Sequence, residues 1–195
     1  MTSTIKSMAA ENTQKPQDAF AQTVYKLSGL LDTHLHGKDP EAKRQDKWQD
    51  CFCAMLLALN PESKLTDMLE ALPPQSKGMD QTTLLNAMVN MGHYARSVGT
   101  TAKLFDARLA PALFVPARKD LPPYIIINAD GQNITIFDPA ARRLRTLGLD
   151  HPRVSRLGRA YFFQTFDRNR QSVSKFMRGG SKQSWFRALL GRFTP

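Results

Sequence analysis

Gln45-Asp46-Lys47-Trp48-Gln49-Asp50-Cys51 runs out of a polar, charged stretch (Gly37 to Lys47) into a segment rich in Ala, Leu and Met. The spacing predicts a helix from near Asp50 through Leu59, with Cys51, Ala54, Met55, Ala58 and Leu59 on one face and Asn60-Pro61 as its stop. A cysteine at the start of a helix has backbone N–H groups aimed at its sulfur. They favour the thiolate, the reactive form. A glutamine on the loop ahead of it can donate its amide to a developing oxyanion. A nucleophile of this kind also needs a histidine base and an Asp or Asn to orient that base.

Working outward, residues 1–15 are polar and read as a disordered tail. Pro16 is a favourable first helical residue, and Phe20, Val24, Leu27, Leu30, Leu31 and Leu35 follow at helical spacing. Downstream of the cysteine, Leu65 to Leu72 and Gln81 to Tyr94 read as helices. The first starts after Ser63 and is stopped by Pro73-Pro74; the second buries Leu84, Leu85, Met88 and Met91. The pattern then changes to short apolar runs: Ala95 to Val98, Ala112 to Val115, Tyr124 to Ile127, Ile134 to Phe137 and Ala160 to Phe163. Asn128-Ala129-Asp130-Gly131 is a hairpin turn between two of them. Helices followed by hairpin-linked strands predict an α+β fold, with N-terminal helices packed on an antiparallel sheet.

The net charge of +10 is unevenly placed. Residues 140–195 hold 13 of the 27 Lys and Arg but only 2 of the 17 acids, so the first 139 residues are close to neutral. A nucleic-acid binder would more often carry its bases on the folded core, and none is expected here as partner. Beyond Gly179-Gly180-Ser181, the residues Trp185, Phe186, Leu189, Leu190 and Phe193 alternate with Lys182, Arg187 and Arg192. That basic, aromatic-edged pattern suits the interface of an anionic membrane. No run of apolar residues is long enough to span a bilayer, and the N-terminus lacks the apolar core of a signal peptide. Cys51 and Cys53 lie too close together for an unstrained disulfide and read as reduced thiols.

Glutamine, four residues, an acid, then cysteine opening an apolar helix is the layout of a papain-like thiol protease. It resembles the bacteriocin-processing cysteine peptidases fused to the N-terminus of ABC exporters, which cut leader peptides after a double glycine. Further segments resemble that family in order and spacing over about residues 40–195. They are Leu84 to Arg96, Pro111 to Val115, Phe137-Asp138-Pro139, Gly158 to Phe163, and Trp185-Phe186 through Pro195 as a run-in to a transmembrane helix. The resemblance implies Gln45 as oxyanion donor, Cys51 as nucleophile and Asp138 as orienter. The family's histidine opens the strand ahead of the aspartate; the matching text here is Pro122-Pro123-Tyr124-Ile125-Ile126, with Pro123 in its place. Proline has no titratable group, so the general base is absent. Phe52 stands where the peptidases have glycine, and on that reading Cys51 is a small buried residue.

Peptidase-like domains without a working triad occur in type I secretion systems, which export repeat-rich toxins and adhesins. The resemblance therefore implies a non-catalytic docking domain over residues 16–166, followed by a basic juxtamembrane linker over 167–195 that leads to a transmembrane region outside this chain. Its partners would be the unfolded secreted polypeptide, the transporter's transmembrane and nucleotide-binding domains, and the inner-membrane surface, at whose cytoplasmic face the domain would lie. Trp48 and Tyr124 are the candidate substrate contacts, expected to flank the degenerate cleft. No cofactor or metal is expected. His34 and His36 read as loop residues before the cysteine helix, His93 as a helix end and His151 as following the sheet, and with Cys51 and Cys53 they match no standard zinc spacing. Two other functions fit parts of the sequence: an active double-glycine leader peptidase using another base, and a stand-alone protein binding membranes or nucleic acid through its basic end.

Overall fold

The computed structural model describes residues 3–36, 46–73 and 78–165, with side chains of the first helix described over 19–35. Among these residues four helices precede six strands. The helices are α1 (Ser3–His36), α2 (Lys47–Leu59), α3 (Leu65–Ala71) and α4 (Gln81–Asn90). The strands are β1 (His93–Thr101), β2 (Ala112–Pro116), β3 (Tyr124–Ala129), β4 (Asn133–Asp138), β5 (Arg143–Gly148) and β6 (Leu157–Thr165). They form one antiparallel sheet in the order β1-β6-β2-β3-β4-β5. This is the α+β arrangement the sequence predicts.

α1 starts at Ser3, not at Pro16. The residues read as a disordered tail are helical in backbone from Ser3 on, and the helix carries in its interior a proline that forfeits one backbone bond. His34 and His36 accordingly lie on α1, not in a loop. α2 starts earlier than expected too, because Asp46 caps it: its carboxylate accepts from the Trp48 N–H at 2.9 Å and from the Met79 N–H at 2.9 Å. α2 is buried on every side from Gln49 to Leu57, as a helix at the centre of a core must be. α4 ends at Asn90, and His93 opens β1.

The sheet buries both faces of its central strands, which explains why they read as continuous apolar runs. Alternation sends Leu113, Ile125 and Phe137 to the helical face, among Cys51, Phe52, Met55, Leu84 and Met88. Phe114, Tyr124, Ile126, Ile134 and Ile136 go to the opposite face, covered by Ala102, Phe105 and Val154 from the connecting segments. The β3–β4 turn is built by Asp130, whose carboxylate accepts from the N–H groups of Gln132 (3.0 Å) and Asn133 (2.6 Å), and by Gly131 at φ +85°. β5 was not legible as a strand. It is an outer strand carrying Arg143 and Arg145, and such charges mark edges at the expense of the apolar pattern.

Candidate functional site

Cys51 is the fifth residue of α2, beyond the first turn whose free N–H groups would act on it, and it is completely buried. Burial pushes its thiol well above the usual range, and the charges of Asp50 and Asp138 push the same way. With α2 starting at Lys47, the sulfur lies past the first turn and in the core, as the reading of Cys51 as a small buried residue expects. Cys53 is likewise buried with its thiol pushed up by desolvation. Phe52 is fully buried beside them.

α1 takes a larger part in this site than the sequence suggested. Its Ser28 hydroxyl donates to the Asp50 carboxylate at 2.6 Å, and its Ser28 carbonyl accepts from the Gln49 amide at 2.5 Å. The other side of that amide, Gln49 Oε1, is buried without a partner among the described residues. Phe20 and Tyr25 of α1 pack on Phe137, with ring centroids 6.1 and 6.4 Å away. Arg142, in the β4–β5 turn at φ 51°, holds its guanidinium 4.6 Å from the centre of the Tyr25 ring. Burial raises Asp50, opposed by the Ser28 hydrogen bond and the Arg142 charge. Burial also raises Tyr25, reinforced by Asp50.

Asp138 ends β4, as expected, but its carboxylate is already committed. It accepts from both terminal nitrogens of Arg153, from Arg145 Nη1 at 3.4 Å and from the Ala140 N–H at 3.1 Å. Burial alone would raise this acid. The Arg153 hydrogen bonds and charge, with the Ala141 and Ala140 N–H groups, more than cancel that and hold it below its ordinary 3.8. Arg153 also lies over the Tyr124 ring at 5.0 Å, and that ring stacks on Phe114 at 5.0 Å and 23°. Nothing local announced Arg153, fifteen residues downstream of its partner.

Pro123 is buried at the place where the resemblance puts the base. His93 is separated from β3 by β6 and β2, and His151 sits in the β5–β6 connection, where its Nδ1 accepts from the Arg153 N–H at 3.1 Å. Gln45 lies outside the described residues, as does the basic segment 167–195. Trp48 and Tyr124 do not flank one cleft. Trp48 packs against the helical-side core, whereas Tyr124, out of phase with Ile125, points to the opposite face. Among the described residues no three His, Cys, Asp or Glu side chains are grouped to hold a metal, and no helix is long and apolar enough to cross a membrane.

No family model and no curated protein matches the chain. Solved structures do resemble it. One is a double glycine motif protease from an AMS/PCAT transporter in complex with its leader peptide, at 14% identity over 64% of this chain and 87% of that one, with a TM-score of 0.47. Another is the N-terminal peptidase C39-like domain of a toxin secretion ATP-binding protein from Vibrio parahaemolyticus, at 14% identity, 57% and 93% coverage and a TM-score of 0.43. A third is the peptidase domain of Streptococcus ComA, a bi-functional ABC transporter of a quorum sensing pathway, at 16% identity, 60% and 88% coverage and a TM-score of 0.44.

Proposed function

We propose that this chain is a non-catalytic docking domain of a type I secretion ABC exporter, with a papain-like peptidase framework that has lost its chemistry and binds unfolded polypeptide before transport. The observation that carries the non-catalytic half is the complete burial of Cys51 in the core, a setting that disfavours the thiolate. Pro123 in the base's place and an Asp138 taken up by Arg153 point the same way. The exporter half is supported by the order and spacing of the segments that resemble the family. It is also supported by the basic, aromatic residues at the chain's C-terminal end, suited to the cytoplasmic face of an inner membrane.

Docking needs backbone edges and apolar side chains rather than a nucleophile. β1, an outer strand of the sheet, exposes Tyr94 and Val98 along nine residues, which suits pairing with an extended chain. The test is to offer the purified protein a permanently unfolded, carboxymethylated polypeptide and, separately, a double-glycine leader peptide. Saturable binding of the first without cleavage of either is expected. Cleavage lost in Cys51→Ala would overturn the non-catalytic reading, and no binding of the unfolded chain would overturn docking. For the exporter context, an antibody to this domain should detect a membrane-fraction band far heavier than 21.9 kDa; a soluble band of that mass would remove the transporter.

A further inference from the structure

On the face of the sheet away from the helices, Pro116, Leu121, Pro122, Tyr124, Arg153 and Arg156 line a pocket of about 130 Å³. This is well below the roughly 300 Å³ at which pockets for drug-sized ligands begin, so it suits a group about the size of one residue. Its walls are apolar at Pro116, Leu121 and Pro122. The Tyr124 hydroxyl is buried with no hydrogen-bond partner among the described residues, and such a group costs stability unless something satisfies it. Of the two guanidinium groups, Arg153 pairs with Asp138, a carboxylate it shares with Arg145. Arg156 makes no hydrogen bond or ion pair among the described residues. The nearby Asp120, on which its charge acts, is already held by both ends of the Arg118 fork. The pocket therefore presents the Arg156 guanidinium, unpaired among the described residues, and apolar walls, with the unpartnered Tyr124 hydroxyl buried beneath them.

We propose that this pocket binds a carboxylate carried on a small apolar group, as a polypeptide presents at its C-terminal residue or at an acidic side chain with apolar neighbours. Arg156 supplies the fork for the carboxylate, the occupant reaches the buried Tyr124 hydroxyl as it seats and accepts from it, and Arg153, held by Asp138 over the Tyr124 ring, keeps that ring in place. The inference goes beyond the docking function and stands without it, since it needs neither an exporter nor an inert cleft.

The experiment uses the full 195-residue chain and fluorescence polarisation with three N-terminally labelled pentapeptides. One ends in leucine with a free carboxylate, one is its C-terminal amide, and one is amidated but carries an internal glutamate between leucines. The expected result is that at least one acidic peptide binds ten-fold or more tightly than the neutral amide; which of the two does so identifies the source of the carboxylate. Arg156→Ala and Tyr124→Phe should each weaken that binding five-fold or more. Arg156 is exposed and Tyr124→Phe keeps the ring, so both variants should fold. Equal binding of the neutral amide, undiminished binding in Arg156→Ala, stronger displacement by inorganic phosphate than by acetate, or no binding at millimolar peptide would each overturn the assignment. None of these results bears on the unfolded-polypeptide test above.

Discussion

On the helical face of the sheet, Leu113, Ile125 and Phe137 close against a helix buried all round, and the one cysteine expected to react there is inaccessible. On the other face, Phe114, Tyr124 and the β4 isoleucines are covered by Ala102, Phe105 and Val154 from connecting segments, and near them stands a network of Asp138, Arg153 and Arg145 beside a pocket. A working thiol peptidase would need the cysteine and the aspartate to meet through a base. Here the two are dedicated to different faces, the cysteine to packing and the aspartate to an ion-pair network that steadies Tyr124. Burial and ion pairing thus act on opposite sides of one sheet, and each holds its group away from solvent.

The largest effect should come from the packed face. Phe52→Ala would open a cavity in the core at a cost of about 3–5 kcal/mol, read as a lowered urea midpoint. It should give no gain of peptidase activity although it brings the residue closer to the family's glycine. Cleavage by this variant would show that bulk at residue 52 blocks a working site and would overturn the non-catalytic reading.

Next is the polar network. Asp138→Asn should cost about 3 kcal/mol near neutral pH, because it leaves Arg153 largely buried without its counter-charge. The folded Asp138 titrates below its ordinary 3.8, so its contribution is present above that value and is lost as pH falls toward the depressed one. The stability of the native protein should therefore drop on acidification below about pH 4 more steeply than that of Asp138→Asn. Asp50, raised by burial, has the opposite sign, and protonating it relieves a penalty. Parallel slopes in the two proteins would show that Asp138 is not what couples this face to pH.

Smaller again is Gly158→Ala. A Cβ on Gly158 of β6 would lie 2.5 Å from Phe114 Cε1 and 2.5 Å from the Val115 carbonyl oxygen, so β2 or the Phe114 ring must shift. The expected cost is about 1–3 kcal/mol by thermal unfolding, with Tyr124 fluorescence changing because its ring stacks on Phe114. An unchanged protein would mean that the outer face is looser than its packing implies.

The smallest effect belongs to the cysteine. Cys51→Ala should cost about 1 kcal/mol and leave polypeptide binding intact. In the native protein a thiol reagent near neutral pH should label Cys51 only as fast as the core opens. Rapid labelling would place the residue in an open cleft after all.

Most of the elements were legible in the sequence because their causes are local. Helical spacing marked the core faces of α1, α2 and α4, Asn60-Pro61 and Pro73-Pro74 supplied stops, and Asp130-Gly131 supplied the hairpin. Helix starts are less legible: Pro16 has the marks of a beginning yet lies inside α1, and the apolar spacing points to a start near Asp50 whereas the cap is Asp46. β5 escaped because its arginines interrupt the apolar pattern. The site was legible only as a set of names. Cys51, Asp138 and Pro123 could be read in order, but not their surroundings.

The sequence by itself determined the α+β class, the reduced and closely spaced cysteines, the lack of a titratable group at residue 123 and the basic C-terminal end, since each depends on residue identity and short-range spacing. Only the tertiary structure decided that Tyr25 and Ser28 of α1 reach the α2 site, that Arg153 takes the Asp138 carboxylate, and that Tyr124 turns away from Trp48. These depend on which strand lies beside which and on which face a side chain takes. A one-residue change of register would reverse the second, and no local pattern records it.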